Sequence, residues 1–234
     1  MRARTKKWAP NELSTNPRIL QNTDHSSLLA CLNELKKSAT SLCGGLGATP
    51  PLGDGNPIHL EIGCGKGRFI CEISRQNPHI QYIAIEREPT ILAIAARQAE
   101  LTNAGSIIFI QADADNLLEL LQANESLIQI SRLYINFCDP WSRKKKWAKR
   151  RLTHEKYLLM YEALKIPEVF FKTDNRILFE SSLESFNMKG WKMQNISLNL
   201  HEDITKYPDN IMTEYEEKFS PHGPIYRLEA INSI

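Results

Sequence analysis

The chain has 234 residues with a formal net charge of +2 at pH 7, and 42% of its residues are hydrophobic. This composition supports a buried core and excludes a chain that is disordered throughout. No apolar stretch reaches the roughly 18 residues that a membrane-spanning helix needs, and no apolar signal segment follows the basic N-terminus, so we expect a cytoplasmic protein with no membrane partner.

Cysteine and histidine usage gives no sign of a disulfide framework or a metal site. The five cysteines include no CxxC pair and lie at positions 31, 43, 64, 71 and 138. The six histidines are scattered without the spacing of metal ligands. Free thiols in a reducing compartment and no bound metal are the simpler interpretation.

Positive charge is concentrated in two short segments. Residues 2–7 and 143–151 are rich in Lys and Arg, whereas acidic residues gather in 214–217. A nearly neutral protein with two basic patches is typical of one that binds a polyanion on one face. The alternative is that each run is only a solvated surface.

The first 57 residues are predicted to form a basic arm, a helix and a flexible link. The segment SSLLACLNELKKS, residues 26–38, has apolar residues at helical spacing, and Ser26 is in position to cap it. Residues 41–57 hold five Gly and three Pro, which favours a flexible connection. We therefore divide the chain into an N-terminal segment, 1–57, and one folded domain, 58–234.

From residue 58 onward, short apolar runs alternate with helical patterns. Strands are predicted over 58–62, 80–86, 107–111, 132–137 and 168–173, with strand-like segments near 191–200 and 224–231. Helices are predicted over 68–76, 91–105, 115–122, 153–164 and 176–190. This alternation predicts an α/β fold with a mostly parallel sheet and helices on both faces, in which ligands bind beyond the carboxyl ends of the strands.

A glycine-rich turn follows the first of these strands. The segment LEIGCGKGRF, residues 60–69, carries Gly63, Gly65 and Gly67, which permit close approach of the backbone to a ligand. The spacing differs from the G-x-G-x-x-G dinucleotide fingerprint, and an acid at Glu61 disfavours a phosphate ligand. A carboxylate there suits the cationic end of S-adenosylmethionine.

Two further acids stand at the ends of the next two strands. Glu86 is placed to accept hydrogen bonds from the ribose hydroxyls of a nucleoside, and Asp113 from an adenine amino group. Three acids at consecutive strand ends indicate a nucleoside cofactor. The alternative is that Glu86 and Asp113 only cap the helices that follow them.

The stretch INFCDPWSRKKKWAKRRL, residues 135–152, begins as a strand and ends as a basic run. Asp139 follows the strand, so its carboxylate is expected at the ligand-binding edge, and Trp141 offers a wall on which a base can stack. The cations of 143–151 are spaced for phosphates. Trp147 is equally consistent with core packing and with substrate contact.

Two acidic motifs near the C-terminus suit recognition of guanine. Asp174 comes directly after the predicted strand 168–173, and TEYEEKF occupies residues 213–219 before the last strand. Carboxylates accept hydrogen bonds from guanine N1–H and its amino group. The local alternative for TEYEEKF is an exposed helix that Thr213 caps, with Glu216 completing a capping box.

With these segments in view, the chain resembles the bacterial tRNA (guanine-N7)-methyltransferases, which are class I enzymes dependent on S-adenosylmethionine. The resemblance covers nearly all of 1–20 and 58–231. The segments that carry it are RARTKKWAPNEL, LEIGCGKGRFI, AIERE, ADADNLL, NFCDPW, KRRLTH, FKTDN and TEYEEKFSPHGPIYRL. The glycine-rich motif is shared by many methyltransferases, whereas the combination of DPW, KRR, TDN and TEYEEKF is specific.

The resemblance implies a Rossmann-like fold with an antiparallel C-terminal strand and transfer of a methyl group to N7 of a guanine in the variable loop of tRNA. Asp139 would be the catalytic residue, between cofactor and guanine. The implied cofactor-binding residues are Glu61, Gly63, Gly65, Gly67, Glu86, Asp113 and Asp139. The implied substrate-binding residues are Arg143, Asp174, Thr213, Glu214, Tyr215 and Glu216. The implied partner is tRNA, with no metal, and the protein would be a monomer or a homodimer.

The chain departs from the family pattern just after DPW. Ser142 and Arg143 stand where a Pro and a Lys are usual, so the residue that takes the role of that Lys stays open among Arg143, Lys144 and Lys145. Three rival functions also stay open: a nicotinamide-dependent oxidoreductase, a non-catalytic RNA-binding module, and a methyltransferase for another base.

Overall fold

A computed structural model of the chain describes residues 6–21, 26, 57–123, 128–141 and 148–232. Of the predicted helix over 26–38 the structure describes only Ser26, and of the predicted link over 41–57 only Pro57. The other residues of both segments lie outside the described ranges. The chain divides into two compact units, Met1–Ile130 and Ser131–Ile234. A separate domain beginning at residue 58 stays a prediction. Among the described residues, no helix combines the length and the apolar character needed to cross a bilayer.

Unit 1 contains four parallel strands in the order β1-β4-β3-β2. Its elements in chain order are α1 (Ala9–Thr15), β1 (Ile19–Gln21), β2 (Ile58–Ile62), α2 (Arg68–Gln76), β3 (Gln81–Glu86), α3 (Pro89–Leu101), β4 (Ile107–Gln111) and α4 (Ala114–Ala123). All five residues of β2 are buried, as are the first five of β3. Strands buried along almost their whole length are typical of a parallel sheet that is covered on both faces.

The first described segment, 6–21, packs against the rest of unit 1 as a helix and a strand. Helix α1 packs on α3, where Asn16 Nδ2 donates to Glu100 Oε1 at 2.8 Å and the Arg97 guanidinium lies 4.9 Å from the centre of the Trp8 ring. Strand β1 then pairs with β4 at the edge of the sheet. The segment expected to be a basic arm therefore contains a helix and a strand that its sequence pattern did not predict.

Unit 2 contains four strands in the order β5-β6-β8-β7. Its elements are β5 (Ile130–Asn136, whose first residue is the last of unit 1), α5 (Glu155–Ala163), β6 (Glu168–Thr173), α6 (Arg176–Met188), β7 (Lys192–Ser197), a 3-10 turn (Ile204–Lys206), α7 (Glu214–Phe219), a second 3-10 turn (Ser220–His222) and β8 (Tyr226–Ile231). Strands β5 and β6 are parallel, whereas β8 is antiparallel to both β6 and β7. The predicted antiparallel C-terminal strand is confirmed.

Side-chain caps fix where two helices of unit 2 begin. The His154 ring accepts a hydrogen bond from Lys156 N at 3.1 Å at the start of α5, and Asn175 Oδ1 accepts from Leu178 N at 2.9 Å at the start of α6. Each cap satisfies a main-chain N–H that has no partner within its helix. The predicted helices over 153–164 and 176–190 are therefore confirmed to within two residues at each end.

Close packing of α2 against α3 depends on a glycine. A Cβ atom at Gly67, the residue before α2, would lie 2.9 Å from Ala95 Cβ and 3.0 Å from Ala95 Cα. The φ of Gly67 is also +88°, in the left-handed region that disfavours other residues. Ala95 is fully buried in α3, so an added Cβ at Gly67 could be accommodated only by moving closely packed helices apart.

We expect Gly67→Ala to lower the free energy of unfolding by about 3 kcal/mol, because it adds a steric clash to the backbone strain. Gly190→Ala is the matched control, because φ there is +74° and nothing lies within 4 Å of the added Cβ. Strain alone should cost about 1 kcal/mol at Gly190. Urea denaturation of both variants measures the difference, and equal losses would contradict the packing argument.

Candidate functional site

The glycine-rich turn of unit 1 joins β2 to α2 and leaves open space beside it. Gly63 and Gly65 have φ values of +78° and +56°, and a Cβ atom added to either would meet nothing within 4 Å. The main-chain N–H groups of Gly63 and Cys64 both donate to Ile85 O, at 2.9 and 3.0 Å, which ties the turn to the end of β3. A ligand can therefore approach the backbone of this turn closely.

Glu86 closes the turn from the end of β3. Its Oε2 accepts from Gly65 N at 3.3 Å, and its Oε1 accepts from Glu88 N at 2.9 Å. Burial raises the pKa of the Glu86 carboxyl, and the hydrogen bonds from main-chain N–H groups oppose this shift. The structure therefore brings together Glu86 and the turn of Gly63, Gly65 and Gly67, as the sequence analysis expected.

Two carboxylates lie close to Cys64 in this turn. Glu61 lies in β2 and is only 1% exposed. Burial raises the pKa of the Cys64 thiol well above its ordinary value, and the nearby carboxylates of Glu61 and Glu86 raise it further. The same two carboxylates would attract a cationic ligand.

Asp113 follows β4, whose last residue, Gln111, pairs in register with Glu86. Asp113 Oδ1 accepts from Asp115 N at 3.0 Å, so the residue caps α4, as the local alternative proposed. Its Oδ2 lies 3.9 Å from Arg87 Nη1 in an ion pair between exposed side chains, which is weak. Capping therefore occupies one oxygen of the carboxylate and leaves the other at the protein surface.

In unit 2, a strained turn carries Asp139 out of β5. The turn has positive φ at two residues that are not glycine, Phe137 (+53°) and Trp141 (+35°). Phe137 N donates to Lys172 O at 2.9 Å, which extends the β5–β6 pairing into the turn. The side chain of Asp139 is exposed.

The neighbouring thiol of Cys138 favours its protonated form. Burial, followed by the charge of Asp139, raises the pKa of Cys138 to about 12. The thiolate, rather than the thiol, is the reactive form of cysteine. The Asp139 carboxylate, in contrast, is exposed at this turn.

A buried arginine holds the turn in place. Arg151 is 6% exposed, and its Nε and Nη2 donate to Pro140 O and Trp141 O, both at 2.8 Å. Its Nη1 donates to Ser181 Oγ at 2.9 Å. The planar guanidinium can serve several acceptors at once, which an ammonium cannot do with the same geometry.

The basic run 143–151 is therefore not uniform. The expectation that the whole run holds phosphates is wrong for Arg151, whose guanidinium is committed inside the protein. Lys149 and Arg150 are exposed, and the Arg150 guanidinium lies 4.4 Å from the centre of the Trp141 ring. Arg143, Lys144, Lys145 and Trp147 lie outside the described residues.

Aromatic rings connect the Asp139 turn to the two acidic motifs of unit 2. Tyr215 stacks on Phe219 with ring centres 4.2 Å apart and lies 5.0 Å from the ring of Phe137. Its hydroxyl donates to Asp174 Oδ2 at 3.1 Å. Burial raises the pKa of Tyr215, and the Asp174 charge adds to this shift. The exposed carboxylate of Asp174 therefore has a fixed aromatic neighbour.

The segment TEYEEKF forms helix α7. Thr213 Oγ1 accepts from Glu216 N at 2.9 Å, so the predicted cap is confirmed. Glu214 and Tyr215 are partly exposed, but Glu216 is fully buried. Its carboxylate bonds to Lys172 and Asn210 instead of completing a capping box, so the expectation of a wholly exposed helix is wrong at this residue.

Sequence reasoning missed the internal roles of Arg151 and Lys172. One signal was present for Lys172, since it interrupts the otherwise apolar end of EVFFKT. Arg151 gave none, because it ends a run of cations that all look alike in sequence. Within the described ranges, no group of three or more His, Cys, Asp or Glu residues is arranged to hold a metal ion.

We expect Arg151→Ala to lower the free energy of unfolding by about 3 kcal/mol, because it removes a buried, charged donor from the carbonyl groups of Pro140 and Trp141 and from Ser181. Arg150→Ala removes the adjacent arginine, which only covers the Trp141 ring, and should cost less than about 1 kcal/mol. Urea denaturation separates the two. Similar losses for both variants would show that Arg151 does not hold the turn.

Comparison with known proteins places the chain among methyltransferases. The family described as "Putative methyltransferase" matches residues 55–228. The tRNA (guanine-N(7)-)-methyltransferase of Clostridioides difficile (strain 630) is 46% identical over 178 residues, which are 75% of this chain and 80% of that protein. The enzyme of the same name from Bacillus subtilis (strain 168) is 44% identical over 180 residues, or 76% and 81% of the two chains.

Solved structures show the fold independently of sequence. An antibiotic-related methyltransferase aligns with a TM-score of 0.54 at 13% identity and covers 91% of this chain and 96% of its own. The 16S rRNA methyltransferase KamB aligns with a TM-score of 0.53 at 12% identity, over 91% and 95% of the two chains. The fold is thus the Rossmann-like one of class I methyltransferases, and by its sequence the chain belongs to the tRNA (guanine-N(7)-)-methyltransferase family.

Proposed function

We propose that this protein transfers a methyl group from S-adenosylmethionine to N7 of a guanine in the variable loop of tRNA. The observation that carries the proposal is 46% identity to a tRNA (guanine-N(7)-)-methyltransferase over three quarters of the chain. Residues 55–228, which match the family, include both the glycine-rich turn of unit 1 and the acidic motifs of unit 2. This membership disfavours a nicotinamide-dependent oxidoreductase.

The turn of unit 1 fits the methyl donor. S-adenosylmethionine carries its transferable methyl group on a positively charged sulfur. The open space beside Gly63 and Gly65 admits a ligand against the backbone, and the charges of Glu61 and Glu86 favour a cation there. Glu86 is proposed to accept from the ribose hydroxyls, and Asp113 from the adenine amino group through the oxygen that does not cap α4.

The acids of unit 2 are proposed to bind the guanine. N7 has an in-plane lone pair, so no proton must leave before it attacks a methyl group, and no strong general base is required. The reaction then depends on alignment and on electrostatic stabilisation of the charge that the ring gains. The exposed carboxylate of Asp139 orients the guanine and favours this charge, which makes it the proposed catalytic group.

Exposed groups around the Asp139 turn complete the proposed substrate site. Asp174 and Tyr215 are joined by a hydrogen bond of 3.1 Å and stand at the protein surface. Glu214, which is partly exposed at the start of α7, and Thr213, which is 8% exposed and caps that helix, are proposed to contact the substrate beside them. Arg143, outside the described residues, is proposed as a further substrate contact.

The direct test is transfer of a labelled methyl group to bulk tRNA, followed by nuclease digestion and identification of the labelled nucleoside. We expect N7-methylguanosine, with the label mapped to the variable loop. Asp139→Ala should lower turnover by roughly a hundredfold or more, because it removes a preorganised charge from the reacting ring.

Donor binding provides the control for the Asp139 variant. The affinity of Asp139→Ala for S-adenosylmethionine, measured by calorimetry, should fall far less than its turnover, since Glu61, Glu86, Asp113 and the glycine-rich turn, which are also proposed to hold the donor, are intact. Label on another base, or unchanged turnover in Asp139→Ala, would contradict the proposal. A protein that binds tRNA without transferring label would instead be a non-catalytic RNA-binding module.

Affinity for tRNA should fall steeply with salt concentration, because binding cations to phosphates releases counterions. Lys149→Gln removes an exposed cation of the basic run and should reduce the slope of log K against log salt by roughly 0.7 to 0.9. Lys206→Gln is the control, because that exposed lysine is paired with Asp203 at 2.7 Å and lies outside the run. A flat salt profile would remove the electrostatic part of the proposal.

A further inference from the structure

A buried ion pair lies beneath the exposed acids of unit 2. Lys172 Nζ is 2.6 Å from Glu216 Oε2, and the two side chains are 7% and 0% exposed. Lys172 belongs to β6, and Glu216 belongs to α7. An ion pair with so little access to water is stable only when its two groups are well placed, so this pair fixes the distance between strand and helix.

The ammonium group of Lys172 binds a whole segment rather than one residue. Besides Glu216 Oε2, it donates to Ile211 O at 2.8 Å and to Asn210 Oδ1 at 3.1 Å. An ammonium has three protons, and these three acceptors use all of them. The segment from Asn210 to Glu216 is therefore anchored at both of its ends to one atom of β6.

The main chain of Lys172 anchors a second segment. Its carbonyl oxygen accepts from Phe137 N at 2.9 Å, two residues before Asp139. Asp174 lies two residues after Lys172 and accepts from Tyr215, the residue next to Glu216. The three parts of unit 2 that carry the proposed substrate contacts are thus joined through Lys172.

The carboxylate of Glu216 is turned away from the surface. Its Oε2 accepts from Lys172, while its Oε1 accepts from Asn210 Nδ2 at 2.9 Å and lies 3.1 Å from His201 Nε2. Turning this group outward to meet a guanine would leave the Lys172 ammonium inside the protein without its counter-charge. Breaking a buried pair in this way is strongly unfavourable.

We infer that Lys172 is a positioning residue for methyl transfer, and that Glu216 acts through Lys172 rather than by touching the guanine. This inference rests on the proposed function. The pair sets the spacing between Asp174, Tyr215 and the Asp139 turn, and those exposed groups meet the substrate. Glu216 was expected from the sequence to bind substrate directly, and the buried contacts assign it to the support of its neighbours instead.

The test compares three variants of the full chain: Lys172→Met, Glu216→Met and the double variant Lys172→Met/Glu216→Met. Each single variant leaves one buried charge without its partner and should lower turnover on tRNA by at least about tenfold, since a shift of about 1 Å at a reacting group can cost a hundredfold. The double variant replaces the pair by apolar side chains of similar length. It should be more active than either single variant by about fivefold or more, a coupling expected of residues in direct contact.

Two further measurements separate positioning from a general loss of structure. The affinity for S-adenosylmethionine should stay within about twofold in all three variants, because the turn of unit 1 is intact. Glu168→Gln is the matched control, since it breaks the Arg132–Glu168 ion pair of 2.6 Å at the other end of β6. It should leave turnover unchanged even where thermal unfolding shows a lower midpoint.

Each outcome decides the inference. If Glu216 touches the guanine, the double variant will be as inactive as Glu216→Met, and the inference is overturned. Unchanged turnover in Lys172→Met, or a double variant that does not fold by circular dichroism, overturns it as well. If Lys172→Met alone does not fold, recovery in the double variant still supports the inference. Absence of methyl transfer by the unaltered protein would instead overturn the proposed function.

Discussion

Main-chain pairing of buried strands is the interaction on which the rest of this protein depends. In unit 1, β2, β3 and β4 pair in parallel and are buried along almost their whole length, so a charged side chain is tolerated mainly where a strand ends. Glu86 and Asp113 occupy such ends. The same pairing aligns the ends of neighbouring strands, so acids that are far apart in sequence collect at one edge of the sheet.

Unit 2 differs from unit 1, because its proposed substrate contacts lie on turns and on a short helix rather than on strands. Such segments are held in place here by two internal cations. Arg151 binds the carbonyls of the Asp139 turn, and Lys172 binds the segment that leads into α7. Burying a cation costs free energy unless its hydrogen-bond donors all have acceptors. The acceptors around Arg151 and Lys172 must therefore lie at defined positions, which fixes the segments that carry them.

The elements from residue 58 onward were predictable because their patterns are local. The runs IHLEI and IIFIQ are strands at the predicted residues, 58–62 and 107–111, and the Thr213 cap of α7 was recognised from its spacing to Glu216. Helix α1 and strand β1 were missed for the same reason. They are short, with seven and three residues, and they are stabilised by partners about ninety residues away, such as Glu100 for Asn16 and Phe109 for Ile19.

By itself, the sequence determined the family, the alternation of strands and helices, and the positions of the acids at strand ends, since all of these follow from residue type and spacing. Only the tertiary structure decided which charges face water. Arg150 and Arg151 are identical neighbours in the sequence, yet one covers a ring at the surface and the other is buried under the turn. Glu214 and Glu216 differ in the same way. Burial is set by what packs against a residue from distant parts of the chain, and a pattern of neighbouring residues does not contain that information.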